Sequence, residues 1–114
     1  MLINSKITET KNLGKSSILD EMFLPSEKLS CGIAVLGDKY PEQGYSLNLE
    51  SETLIIILEG KGQIVIEEKE FKVKEKDIVF IGKDKKYRII TDSLKFAVLN
   101  SPPWKETQYQ IIKT

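Results

Sequence analysis

The side chains best suited to acid–base chemistry or metal binding are unevenly supplied in this chain. Histidine is absent from its 114 residues, so the commonest general base near neutral pH and the commonest metal ligand are both missing. Cysteine occurs once, at Cys31, inside the apolar run "LSCGIAVL", and reads as a small buried hydrophobe rather than a reactive thiol. Arg88 is the only arginine, which leaves no cluster of guanidinium forks to clamp a phosphate. No nucleophile elbow, phosphate-binding glycine loop or paired-carboxylate motif occurs, and "LEGKG" (Leu58–Gly62) reads as a hairpin turn. Tyrosine, lysine and the carboxylates remain as acid–base groups, and each needs surroundings that shift its pKa before it can work near neutrality.

Charge narrows the partners. Seventeen basic and 17 acidic residues cancel, and they are interspersed rather than blocked into a tail. Such a chain has no general attraction to nucleic acid or to anionic membrane. The opening "MLINSKITETKN" lacks the long apolar region of a secretory signal, and no apolar run is long enough to span a bilayer. A cytoplasmic protein is expected, with neither nucleic acid nor membrane as partner. The length suits one domain, residues 1–114, with a core that needs no disulfide or metal to fold.

The elements that must position any site read as short strands. "GIAVLG", "YSLNLE", "TLIIILE", "QIVIE", "FKVK", "DIVFIG", "YRIIT" and "LKFAVLN" follow one another between turn signals. "FKVK" alternates Phe71 and Val73 with lysines, as a sheet with one wet face should. "EEKE" is a charged tip between two strands, and "SPP" stops the last one. "SSILDEMFL" (Ser16–Leu24) fits either a short helix or a strand. In "LIIIL", Leu54, Ile56 and Leu58 face one way while Ile55 and Ile57 face the other, so both faces are apolar. One face fills the interior. The other must be covered by residues 1–30 or by a second copy of the chain, and a homodimer is the favoured expectation.

From Gly32 to Trp104 the chain resembles a cupin, a small jelly-roll barrel. The rhythm "ETLIIILEGKGQIVIEEKEFKVKEKDIVFI" carries the likeness, with Lys76-Asp77 where cupins usually have Gly-Asp, and "VLNSPPW" resembles the way many small cupins leave the barrel. The resemblance implies an all-β fold, a cupin-type double-stranded β-helix, with residues 31–104 as barrel core and 1–30 covering the barrel or a dimer interface. It also implies where metal-binding histidines would stand. Counted back from Gly60, those positions are Leu47 and Leu49, with the glutamate position at Thr53. A register one residue earlier gives Ser46, Asn48 and Glu52. Counted from Lys76, the third histidine position is Tyr87. Neither register supplies a conventional ligand set, so no metal and no cofactor are expected.

What the resemblance leaves is a pocket whose candidate ligand-binding residues are Tyr87, Thr53, Ser46 and Asn48, with Tyr45 and Trp104 as aromatic walls. In the first register Leu47 and Leu49 are apolar walls and Tyr87 is the main polar contact; Arg88, its neighbour, lies outside the barrel. The expected function is metal-free binding of a small, weakly polar molecule, such as a sugar or metabolite to be sensed. A metal-independent isomerase, epimerase or lyase acting on a carbohydrate-like substrate is one alternative. An interaction module with a filled barrel is the other.

Overall fold

The computed structural model describes residues 2, 3 and 6–113. Nine strands and one short 3₁₀ turn account for the regular structure: β1 (Ile7–Gly14), β2 (Ser17–Met22), β3 (Ser30–Leu36), β4 (Tyr45–Asn48), β5 (Glu52–Ile66), β6 (Lys69–Lys74), β7 (Ile78–Ile81), β8 (Tyr87–Ser101), the turn Glu106–Gln108, and β9 (Tyr109–Ile112). No α-helix occurs among the described residues, and no helix is long and apolar enough to cross a membrane. "SSILDEMFL" resolves as strand, with Ile18, Leu19 and Met22 in alternation along β2.

β5 and β8 run antiparallel along most of their length and each takes part in both layers of a curled sheet. The first half of β5 pairs with β7 and with the second half of β8, which in turn pairs with β3; β2 and β1 extend that layer. The second half of β5 pairs with β6 and with the first half of β8, which meets β4 and, through it, β9. This is the all-β jelly-roll barrel.

The expected hairpin at "LEGKG" is replaced by a bend within one strand. Register shifts between Ile57 and Glu59 and between Lys61 and Gln63 mark bulges, which bend a strand and re-aim its side chains. Gly60 lies at φ +88, and a Cβ there would fall 2.3 Å from the Ser93 carbonyl oxygen, so only glycine fits. β8 likewise fuses "YRIIT" and "LKFAVLN" into a single strand, with Thr91 Oγ1 bonded 2.8 Å to the Lys61 carbonyl oxygen beside the bend. "EEKE" does form the turn between β5 and β6, with Ile66 opposite Lys69. Lys76 sits at φ +77, which gives a physical reason for the usual glycine at that place in cupins.

Strand alternation sorts "LIIIL" as its two faces require. Ile55 and Ile57 are 1% exposed and join Ala34, Leu36, Ile64 and Leu94 in the core. Leu54 and Ile56 are half-buried and Leu58 is exposed, all on the outer face. β1 and β2 add to the edge of the sheet rather than lie across that face, and Leu13 and Leu19 turn inward to pack on the core.

Candidate functional site

Between the two layers lies a cavity of about 590 Å³. The barrel interior is therefore not wholly filled by its own leucines and isoleucines. Its apolar wall comes from Ile55, Ile89, Phe96 and Val98, inward residues of β5 and β8. The polar groups come in pairs, most of which join segments far apart in sequence.

Thr53 and Asn100 are cross-strand partners on β5 and β8, 2% and 8% exposed, and the Thr53 hydroxyl donates to Asn100 Oδ1 at 2.7 Å. No hydrogen bond among the described residues uses the Asn100 amide nitrogen, which leaves a donor on the cavity wall. Trp104 Nε1 donates to Asn48 Oδ1 at 3.0 Å, and its backbone N–H donates to Ser30 Oγ at 3.0 Å; together these fix the indole at the mouth. The buried Ser46 hydroxyl, which does not line the cavity, lies 2.7 Å from Tyr109 Oη, which lies 2.7 Å from Tyr40 Oη; both of these phenols are on the cavity wall. Tyr87 is the antiparallel partner of Ser46 and completes a cluster of hydroxyls. At the mouth Lys11 Nζ pairs with Glu21 Oε1 at 2.8 Å and rests 3.9 Å from the centre of the Trp104 ring. It is the one ion pair found among the described residues.

Burial sets the protonation of the phenols. It pushes the Tyr87 pKa well above its ordinary value; the neighbouring Tyr40 and Tyr109 push further, and a hydrogen bond to Ser46 offsets part of this. Tyr109 is raised for the same leading reason, burial. Near neutral pH both are neutral hydroxyls that donate and accept hydrogen bonds, not phenolates. Burial also raises the Cys31 thiol, which disfavours the reactive thiolate.

Four of the expected residues, Tyr87, Thr53, Asn48 and Trp104, do line this cavity. Ser46 lies one layer behind, orienting Tyr109. Tyr45 is a correction. It points away from the cavity, and Arg88 and Lys86 lie over its ring at 5.0 and 4.9 Å. Arg88 is outside the barrel as expected and stacks on Tyr45, and its Nε has no hydrogen-bond partner among the described residues. Leu47 and Leu49 are a second correction. Ser46 and Asn48 are the inward residues of β4, 0% and 6% exposed, whereas Leu49 is 40% exposed. The pairing of β4 with β8 and β9 fixes this phase.

The inward positions carry Ser46, Asn48, Thr53 and Tyr87, all neutral, and the first three are already bonded to Tyr109, Trp104 and Asn100. Such a set does not fit a divalent ion, which needs anionic or imidazole donors. Among the described residues no group of three or more Cys, Asp or Glu side chains comes together either.

Sequence reading missed Tyr40, Tyr109, Asn100, Lys11 and Glu21. β9 is four residues long and follows the prolines that end the resemblance. Lys11 and Glu21 are ordinary surface charges by composition and reach the mouth because β1 and β2 extend the sheet over it.

No protein-family model matches the sequence, and no curated protein sequence matches it. Solved structures do resemble it. Pac13 of Streptomyces, described as a unique nucleoside dehydratase, superposes with a TM-score of 0.83 at 10% identity, over 99% of this chain and 92% of that one. Pac13 variants have been seen with uridine. KdgF from Halomonas sp. gives 0.73 at 9% identity, over 91% and 98% of the two chains. A cupin-2 domain from Rhodospirillum rubrum gives 0.73 at 14%, over 87% and 67%. At such identities the likeness establishes the cupin fold and nothing finer.

Proposed function

We propose that the barrel binds a small, weakly polar, hydroxyl-bearing molecule of the sugar or nucleoside kind, with Tyr87 as its main polar contact. The observation that carries this reading is the cavity itself: an apolar wall with a few convergent neutral hydrogen-bonding groups, Tyr87, Thr53–Asn100 and Asn48–Trp104, which is how small-molecule sites are built. No arginine lines it, and the one lysine at the mouth is paired, so an anionic ligand would lack a free counter-charge. The uridine seen with Pac13 variants supports a nucleoside-sized occupant.

A lyase or isomerase acting on such a molecule is the second reading. It is favoured by Lys11 and Glu21 lining the same cavity as the tyrosine hydroxyls, and by the description of Pac13 as a dehydratase.

Thermal-shift screening with uridine, other nucleosides and neutral sugars, followed by calorimetry of a hit, tests both. Tyr87→Phe removes one hydroxyl and is expected to weaken binding by about 0.5–1.5 kcal/mol. Unchanged affinity returns Tyr87 to a packing role. Conversion of the ligand on prolonged incubation, seen by mass spectrometry and lost in Tyr87→Phe, selects the enzyme.

A further inference from the structure

The two strands at one edge of the sheet turn charged side chains toward the cavity. Glu9 and Lys11 of β1 and Glu21 of β2 line it, together with Glu106 of the 3₁₀ turn. No aspartate, arginine or second lysine joins them, so three carboxylates face one ammonium, an excess of two negative charges. Glu9 and Glu21 are also direct cross-strand partners, a placement that like charges disfavour. Lys11 Nζ pairs with Glu21 at 2.8 Å, whereas Glu9 and Glu106 form no ion pair with any described residue.

From these observations we infer that the ligand carries a protonated amine at one end, held at the mouth by Glu9, Glu106 and the Trp104 ring, as an amino sugar or an aminonucleoside would. The inference rests on the proposed binding of a hydroxyl-bearing molecule and adds one charged group to it.

The mouth already holds one ammonium. Lys11 Nζ touches the Glu21 carboxylate and lies 3.9 Å from the centre of the Trp104 ring, the pairing of anion and aromatic face by which ammonium groups are recognised. The Tyr109 ring stands 5.7 Å from that of Trp104 and tilted by 58°, so a second aromatic face borders the same end.

Asn100 is an independent sign of a ligand. Its side chain lines the cavity and is 8% exposed, yet its amide nitrogen donates to no described residue. A donor left over in so buried a place calls for an acceptor from outside the chain, and a hydroxyl or carbonyl oxygen supplies one. The distribution of polarity gives the ligand a direction. Ile55, Ile89 and Phe96 contribute an apolar wall, and the neutral hydrogen-bonding groups come from β4, β5 and β8. All four charges come from β1, β2 and the 3₁₀ turn. The matching molecule has a neutral body and one cationic end.

Calorimetry at pH 7 with matched pairs tests this: glucosamine against glucose, and 5′-amino-5′-deoxyuridine against uridine. Glu9 and Glu106 are exposed, so water and salt screen each of them and the effect is moderate. At low salt the amine is expected to bind about tenfold tighter than its neutral parent, a preference that shrinks as salt is added. Glu9→Gln and Glu106→Gln should each lower that ratio about threefold, and Lys11→Met, which frees Glu21, should raise it. The affinity of the neutral parent, measured in the same variant, is the reference throughout. Parents that bind while their amines bind no tighter overturn this inference and leave the binding reading standing; the inward charges then serve to protect the sheet edge from pairing. A preference that both glutamine substitutions leave unmoved overturns it as well. If no member of either pair binds, the reading of a hydroxyl-bearing ligand falls and this inference falls with it.

Discussion

The first half of β5 has two apolar faces, and they meet different fates. Inward, Ile55 and Ile57 close against Ala34, Leu36 and Leu94, and toward the cavity the same face turns polar at Thr53, whose hydroxyl is satisfied by Asn100. Outward, Leu54, Ile56 and Leu58 stay partly exposed beside Ile78 and Phe80, with no hydrogen-bonding side chain among them. Hydrophobicity alone does not distinguish the faces. What distinguishes them is whether polar groups are present and paired: the inner face places a few satisfied polar atoms among apolar ones, the pattern of small-molecule sites, whereas the outer face of this stretch carries none.

Truncating one residue on each face tests that contrast most strongly. Ile57→Ala opens a hole in a packed core and is expected to cost about 2–5 kcal/mol of folding stability. Ile56→Ala, one residue away on the outer face, should cost about 1 kcal/mol in the single chain, because its side chain is only half-buried there. Both are measured by urea unfolding at the same protein concentration. Equal losses would mean that the outer face is as tightly packed as the core.

A smaller effect probes the polar part of the inner face. Thr53→Val keeps the side-chain shape but removes the donor to Asn100 Oδ1, leaving a buried acceptor unpaired at a cost of about 1–3 kcal/mol. Adding Asn100→Leu removes that acceptor as well, so the double variant should regain part of the loss. If Thr53→Val is silent, the cavity admits enough water to replace the hydroxyl, and the pocket is wetter than the pairing implies.

The same contrast explains how much was legible in the sequence. Strands with period-two patterns or short apolar runs bounded by turn residues were readable, because strand alternation is local. The two faces of "LIIIL" could be separated for the same reason. The phase of β4 could not. "YSLNLE" sets Tyr45, Leu47 and Leu49 on one side, and apolar residues are expected inside; yet Ser46 and Asn48 face in, held by Tyr109 and Trp104 from 63 and 56 positions further along. Those partners decide the orientation, and no local pattern reports them. "LEGKG" failed similarly. Gly60 supplies the positive φ that a hairpin turn would also need, and only the close approach of Ser93 from a distant strand makes it a bend. The Lys76-Asp77 turn was legible through family likeness, since its positive φ is a local requirement.

The last and smallest effect concerns the hydroxyl cluster on the cavity wall. Burial raises the pKa of both Tyr87 and Tyr109 in the folded chain, whereas in the unfolded chain each returns to about 10. Between pH 10 and the higher folded values the unfolded chain has lost these protons and the folded chain keeps them, so raising the pH favours unfolding. Their contribution to stability is intact below pH 10 and is lost as the pH climbs toward the folded pKa. For one phenol that stays protonated in the fold, the loss is about 1 kcal/mol between pH 10 and 11. Other groups titrate there too, so the measurement is a difference: urea unfolding at several pH values, followed by the fluorescence of Trp104, the only tryptophan. Tyr109→Phe and Tyr87→Phe should each flatten the fall in stability by about that amount. A fall as steep as that of the wild type would mean that the phenol ionises in the folded barrel as easily as in water. The Ser46–Tyr109–Tyr40 chain would then be open to solvent, and the inner face would be no drier than the outer one.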